Sequence, residues 1–543
     1  MAAVGIDFGL ANIRVAKLWP DGKLDIHRNS YDGRKSPTYL VLENSRYAYG
    51  DEARAQSLVD IHSSAFDVLR FLGLTIEFAN ETTSKHHYPF SLIPTGPSSQ
   101  PSFLLYDQTC QRQVAVTVAE LVETLLQRTF MEMSVDVPHM TTLAPVVLTV
   151  PSWWTPSRIQ QLYDCAVTAG CGNVRLVESR VAALFGCFLY SLDPSTFPKK
   201  VLLVDIGATG TELTAWTTDV HNDQSEIAYH IWFPDGGGNA VDWQLVQFCQ
   251  LALPQCDFGQ DPLAVHRVRL ECQDAKHRMS PASKSTKIYV PNLRNNCDLN
   301  LLLDAESFEE IGRPFADSLM NLVNTALYQC SWTSEDEFQI LLVGGGSRLP
   351  IIRRTFRHFY GSRINPSVLL YADEAAAYGA AGLASMFAVE PRLDGIGPLD
   401  VHHRKLCKLF RQTGLSWDEQ SADHLRAFVS SHLASAEQQR HHLSTSASET
   451  PMQIVEPTSR QSEKQMLKDQ PSNIAERWAN DIAVEETRAN TGTSIPNSKD
   501  HTYEHINGPI INPLPTEIPN KDTLVYKFED DDSDSDDTNE NMY

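Results

Sequence analysis

Val4-Gly5-Ile6-Asp7-Phe8-Gly9 and, about 200 residues later, Leu202-Leu203-Val204-Asp205-Ile206-Gly207 repeat one pattern. In each, an apolar strand ends in an aspartate and a glycine follows two positions on. Glycine permits a tight turn and lets backbone come close to phosphate oxygens. Asp7 and Asp205 can hold Mg²⁺ through its waters, because Mg²⁺ keeps several waters and takes hard oxygen ligands. Two copies imply two similar lobes facing one nucleotide. A third turn, Leu341-Leu342-Val343-Gly344-Gly345-Gly346-Ser347-Arg348-Leu349-Pro350, lets backbone pack against a flat ligand on which Arg348 can stack.

Around these turns the chain alternates short apolar runs with amphipathic stretches. Val146–Val150, Val201–Val204 and Ile340–Val343 read as strands buried on both faces, and Val118–Met133, Arg158–Ala169 and Phe308–Gln329 as helices. Such alternation implies an α/β fold. Thr82–Gln113 is rich in Pro and Ser and poorly periodic, so it is expected to be a long loop or insertion. His402–Leu443 has a helical pattern broken at Gly414 and Ser416. From Ser444 onward few aliphatic residues remain to offset ordering entropy, and disorder is expected.

Composition excludes several classes. A formal charge of −23, with eight carboxylates between Glu529 and Glu540, argues against general affinity for nucleic acid or anionic membrane. No run approaches the roughly 20 apolar residues a bilayer span needs. The start of the chain lacks a secretory pattern, so a cytoplasmic location is expected, with the nucleus left open. Ten cysteines without a CxxC pair point to reduced thiols. The histidine pairs at 86–87, 402–403 and 441–442 lack ligand spacing, and Trp153-Trp154 reads as a packed loop rather than a partner anchor.

The order of the matching segments carries further. Gly5–Gly9, Arg34-Lys35-Ser36-Pro37-Thr38-Tyr39, Tyr49–Ala53, Phe66–Gly73, Val147–Pro151, Glu178–Ala183, Gly236-Gly237-Gly238-Asn239 with Asp242, Cys272–Ser280 and Asp373–Ala380 follow one another across some 380 residues. In this the sequence resembles the nucleotide-binding domain of the 70-kDa heat-shock chaperones, as a divergent member. The resemblance implies a two-lobed actin/hexokinase-like ATPase fold over residues 1–388, binding ATP or ADP with Mg²⁺. Carried over by position, it makes Asp7 and Asp205 the Mg²⁺-side carboxylates and places Glu178 near the γ-phosphate and the attacking water. Gly9, Gly207, Gly237 and Gly238 become phosphate-side glycines. Lys276, Ser280, Gly345, Gly346, Arg348 and Asp373 line the adenosine pocket.

The pattern is broken where catalysis would be done. Two family threonines after the first Asp-x-Gly are Leu10 and Ala11 here, and the lysine that steadies the γ-phosphate aligns with Leu69. The second loop reads Gly207-Ala208-Thr209-Gly210, its hydroxyl moved by one place. Losing one preorganised donor costs on the order of 3–4 kcal/mol of transition-state stabilisation. Nucleotide binding with weak or absent hydrolysis is therefore expected.

After residue 388 no strand–turn–strand run could build the family's peptide-binding sandwich, and Leu393–Val401, interrupted by Gly395, Gly397 and Pro398, resembles its interdomain linker only loosely. The expected organisation is a nucleotide domain over 1–388, a linker and helical segment over 389–443, and a polar, acidic, disordered tail over 444–543. Ser533 and Ser535 lie among carboxylates, a setting for acidophilic kinases. The resemblance implies a co-chaperone or regulatory component working with other chaperones, ribosome-associated ones included. Two alternatives are an active ATPase in which Arg70 and Thr209 replace the missing groups, and an actin-like nucleotide-dependent scaffold.

Overall fold

The computed structural model describes residues 2–389, apart from 20–22, 135–145, 191–198, 220–223, 235, 280–282, 295 and 366–370. The expected helical segment and acidic tail, with Ser533 and Ser535, lie outside the described residues, as does Ser280. All described residues belong to one compact unit.

The two Asp-x-Gly turns sit at matching places in two sheets. In the first lobe, Ala3–Phe8 runs antiparallel to Asn12–Leu18 and parallel to Val146–Val150, which pairs in turn with Val174–Glu178. In the second lobe, Lys200–Ile206 runs antiparallel to Gly210–Asp219 and parallel to Gln339–Val343. Leu24–Ile26 and Gln224–Pro234 extend the respective hairpins. The strand Val146–Val150 is buried along its whole length, as a parallel strand covered on both faces requires.

Each lobe has its own apolar core. The first is built around Phe8, Leu69, Phe71, Phe103, Leu125 and Leu148, the second around the strand residues Leu202 and Val204 with Leu245, Val268, Phe315 and Ile340. A third cluster lies between the sheets, where Ser179–Tyr190 and Ala375–Val389 pack together through Ala182, Phe185, Ala377 and Ala381. A methyl at Gly186 would strike the carbonyl of Ala375, and one at Gly379 the carbonyl of Ala182. Glycine is what allows these two helices to approach so closely.

Side-chain caps start a helix in each lobe. Thr155 accepts from the Arg158 amide ahead of Pro156–Thr168, with Pro156 in the first turn. Asp261 accepts from the Leu263 and Ala264 amides at the start of Pro262–Arg278. That helix buries Ala264, Val268, Cys272 and Ala275 on one stripe and carries Lys276, His277 and Arg278 in its last turn, where basic groups suit the helix dipole.

Two expectations are corrected. Thr82–Gln113 is not a long loop: it holds the end of the helix Ile76–Lys85 and most of a three-stranded sheet, Leu92–Thr95, Gln100–Asp107 and Arg112–Thr117. Phe103 and Leu105 enter the first-lobe core on alternate positions, a period-two signal that the flanking Pro and Ser residues concealed. Reduced thiols do not hold throughout either, because Cys297 is disulfide-bonded. Bonded cysteines need only meet in space, and sequence spacing does not register that. Trp154 is buried and the Arg158 guanidinium lies over its ring at 4.4 Å, so the packed-loop reading of Trp153-Trp154 holds.

Candidate functional site

Between the lobes lies a cleft of about 410 Å³, a volume suited to a small molecule. Its floor is made by the ends of the central strands. Asp7, Gly9, Leu10 and Ala11 come from the first hairpin, and Asp205, Gly207, Ala208 and Thr209 from the second. Gly345, Gly346, Arg348 and Asp373 form one wall with Gln273, Lys276 and His277. Of the residues expected at the site, the structure thus gathers Asp7, Asp205, Gly9, Gly207, Thr209, Gly238, Lys276, Gly345, Gly346, Arg348 and Asp373.

The remaining three described positions are placed differently. Glu178 is 2% exposed and does not line the cleft; its carboxylate accepts from Arg180 Nε at 2.7 Å. Leu69 is buried in the first-lobe core, where a fully covered leucine contributes about 2 kcal/mol and a lysine head group would find no water. Gly237 packs against the second loop, its Cβ direction filled by the Gly210 amide and the Ala208 carbonyl. Gly238 reaches the cleft, but its amide donates to the Gly207 carbonyl at 2.9 Å, and the Asn239 amide donates to that of Ala208 at 2.7 Å. Those amides brace the loop. Arg70, the suggested replacement for the lost lysine, lies within 3.5 Å of the Tyr88 hydroxyl and does not line the cleft.

Charge on the walls is tightly arranged. Lys276 Nζ lies 2.7 Å from Asp242, which is fully buried, and donates to the Gly238 carbonyl at 2.9 Å. Arg348 Nε donates to Asp373 at 2.7 Å. Burial alone would raise the Asp373 carboxyl, but the Arg14 and Arg348 guanidiniums hold it well below the usual carboxylate range. The φ of +78° at Gly344 seats the third turn directly on the Asp205 carboxylate and the Ile206 backbone, a conformation that favours glycine.

On the floor, burial pushes Asp205 up to about 7, with Glu212 and Asp7 adding to the rise. Asp7 is also raised by burial, against the pull of Arg14 and a hydrogen bond donated by Thr149 at 3.2 Å. Glu212 is occupied at the lobe junction. Ser152 donates to it at 2.5 Å, His230 Nε2 lies 3.0 Å away and Arg180 3.9 Å away. Beside them Trp153 of the first lobe stacks on Trp232 of the second at 4.8 Å. Burial pushes Lys35 down to about 8, helped by Arg14, and its side chain lines the cleft.

These features test which ligands fit. Lys35, Lys276 and Arg348 offer cations to an anion, and the open space over Gly345 accommodates a flat group. Mg²⁺ fits less completely. Asp205 is left with acids as its strongest charged neighbours and would welcome a cation, whereas Asp7 already has Arg14 within 3.9 Å. Among the described residues no group of three His, Cys, Asp or Glu side chains is placed to hold a metal ion directly.

Lys35, Arg14, Glu212 and His277 are among the cleft residues to which sequence reasoning gave no role. Arg14 had a usable signal: in a hairpin turning at Gly9–Ala11 it falls opposite Asp7.

The Hsp70 protein family model matches residues 3–477. The chain belongs to the Hsp70 family. That family implies the two-lobed, actin-like ATPase fold, with which the paired sheets and the cleft agree. Among curated Hsp70 relatives, a heat shock 70 kDa protein of Emericella nidulans is 26% identical over 390 residues, covering 71% of this chain and 58% of that protein. Heat shock protein hsp88 of Neurospora crassa is 24% identical over 70% of this chain and 53% of its own length. Heat shock 70 kDa protein II of Paracentrotus lividus is 24% identical over 69% of this chain and 98% of its own length. The chain thus spans little more than half the length of the two fungal relatives. Among the described residues no helix is long and apolar enough to cross a membrane.

Proposed function

We propose that this Hsp70-family chain binds ATP or ADP in the interlobe cleft and serves as a regulatory or co-chaperone component with weak or absent hydrolysis. Other chaperones are its proposed partners, and residues 1–388 its nucleotide domain. The observation that carries the reading is the contrast within one cleft. The wall keeps Lys276, Arg348, Asp373 and the glycines 345 and 346, while the floor presents Leu10 and Ala11.

In this reading Arg348 and the neutral His277 ring flank the base, and Lys276 and Lys35 meet anionic oxygens. Desolvation at the cleft wall, with the charges of Lys276, Lys35 and Arg54, pushes the His277 imidazole pKa down, and the ring is exposed at the cleft edge. Mg²⁺, held by Asp205 through water, would supply neutralisation of phosphate charge. Leu10 and Ala11 offer phosphate oxygens no hydroxyl, Glu178 is held by Arg180, and Thr209 is the hydroxyl on the second loop. Binding without efficient turnover follows, since phosphoryl transfer depends on preorganised donors that this floor lacks.

Thermal unfolding of the full chain with ATP and Mg²⁺, and with ADP, tests the binding reading: a ligand of the folded state raises the midpoint. No shift at millimolar nucleotide would sink it. Single-turnover hydrolysis tests the second part, and turnover as fast as an ordinary Hsp70 would overturn it.

A further inference from the structure

We propose that Arg14 is a built-in cation of the cleft floor that supplies, beside Asp7, charge otherwise brought by a divalent metal, so that nucleotide binding here does not depend on the ion that Asp205 could hold. The proposal rests on the nucleotide-binding reading and narrows it.

The hairpin register places Arg14 directly opposite Asp7 on the neighbouring strand. Opposed residues of an antiparallel pair bring oppositely charged side chains within reach. From there the guanidinium lies 3.9 Å from Asp7 and donates to Asp373 at 3.1 Å. All three side chains are largely shielded, at 11%, 18% and 20% exposure. Arg14 therefore ties the first-lobe floor to the turn that precedes the helix Ala375–Val389. Arg348 grips Asp373 from the other side, so the carboxylate that orients Arg14 is itself fixed.

A guanidinium keeps its charge at any pH a protein survives. At 3.9 Å from Asp7 it acts as an ion-pair neighbour, offsetting the carboxylate charge electrostatically, so a metal ion placed there gains less. Removing the metal then costs this cleft little, because Arg14 remains. Lys35 strengthens the case. It lines the same cleft near Arg14 and Lys276, which are paired with Asp373 and Asp242, and adds a further cation for the anionic part of a nucleotide.

The experiment has two arms, both on the full chain. In the first, ATP affinity is measured by titration in Mg²⁺ and again in EDTA, for the wild type, Arg14→Gln and Arg14→Lys. The wild-type dissociation constant is expected to change by less than about threefold on chelation, and that of Arg14→Gln to rise by about tenfold or more, with Arg14→Lys in between. A wild type that loses about tenfold in EDTA overturns the proposal. The second arm needs no nucleotide: Mn²⁺ alone is titrated by electron paramagnetic resonance. Arg14→Gln is expected to gain a Mn²⁺ site that adding Asp7→Asn removes. Equal Mn²⁺ binding in wild type and Arg14→Gln overturns the proposal as well. Should ATP bind in neither buffer, the functional reading falls, and the Mn²⁺ arm still decides the role of Arg14.

Discussion

The two Asp-x-Gly hairpins share topology and differ in what surrounds the aspartate. Asp7 has a cross-strand arginine, a threonine hydroxyl donating to it, and apolar Leu10 and Ala11 in the turn. Asp205 has the acids Glu212 and Asp7 as its strongest charged neighbours, with Arg14 a weaker opposing one, a hydroxyl at Thr209, and a glycine turn resting on its carboxylate. The first hairpin carries its own cation beside the aspartate, whereas the second sets its aspartate chiefly among acids. Repeated topology preserves where a turn lies; it does not preserve what the turn can do.

That asymmetry can be broken by experiment. The largest effect is expected from Lys276→Met, which removes the partner of fully buried Asp242 in the second lobe. Stranding a buried carboxylate costs about 4 kcal/mol, readable as a lower urea midpoint together with loss of ATP-induced stabilisation. Asp205→Asn is expected to act in the opposite direction. Its folded-state pKa of about 7 lies above the ordinary carboxylate value, so the folded chain keeps a proton that the unfolded chain releases between about pH 4 and pH 7. The stability this contributes is present below about pH 4 and lost as pH rises through about 7. At about pH 8 the substitution should stabilise by up to about 4 kcal/mol, and at about pH 4 it should do nothing. Equal effects at both pH values would dissolve the contrast between the hairpins.

A smaller effect sharpens where the lobes meet. His266 of the second lobe lies 3.0 Å from Ser57 of the first and is packed against Tyr39 and Phe66. Burial, with the charges of Arg269 and Arg54, pushes its pKa down to about 3. The folded chain then binds fewer protons than the unfolded chain below about pH 6.5, so stability falls on acidification. Between about pH 7 and pH 5 the His266 contribution should fall by about 2 kcal/mol, read as the difference between the wild-type and His266→Gln pH profiles over that window. The smallest effect is a gain: Leu10→Thr with Ala11→Thr returns hydroxyls to the first turn. ATP affinity should rise by about 1 kcal/mol, and an unchanged dissociation constant would mean that the first hairpin no longer faces the ligand.

Much of the fold was legible. The apolar strands at 146–150, 201–204 and 340–343 and the three long helices stand within a few residues of their expected bounds. They were readable because their periodicity is local. The sheet inside Thr82–Gln113 was not, since its strands are short and separated by turn residues. Within the cleft, Lys276, Arg348 and Asp373 were found through ordered resemblance. The pairing of Glu178 with Arg180, two positions along, is a contact that no alignment of residue types reveals.

By itself the sequence determined the repeated strand–aspartate–glycine turns, the alternation that makes an α/β chain, and the loss of hydroxyls at residues 10 and 11. These are properties of neighbours along the chain. The tertiary structure decided which charges meet. Arg14 reaches Asp373 across 359 positions, Lys276 reaches Asp242 across a helix pair, and Ser152 reaches Glu212 across the lobe junction. Electrostatic energy depends on distance and burial, and both are set only when the two lobes have folded around one cleft.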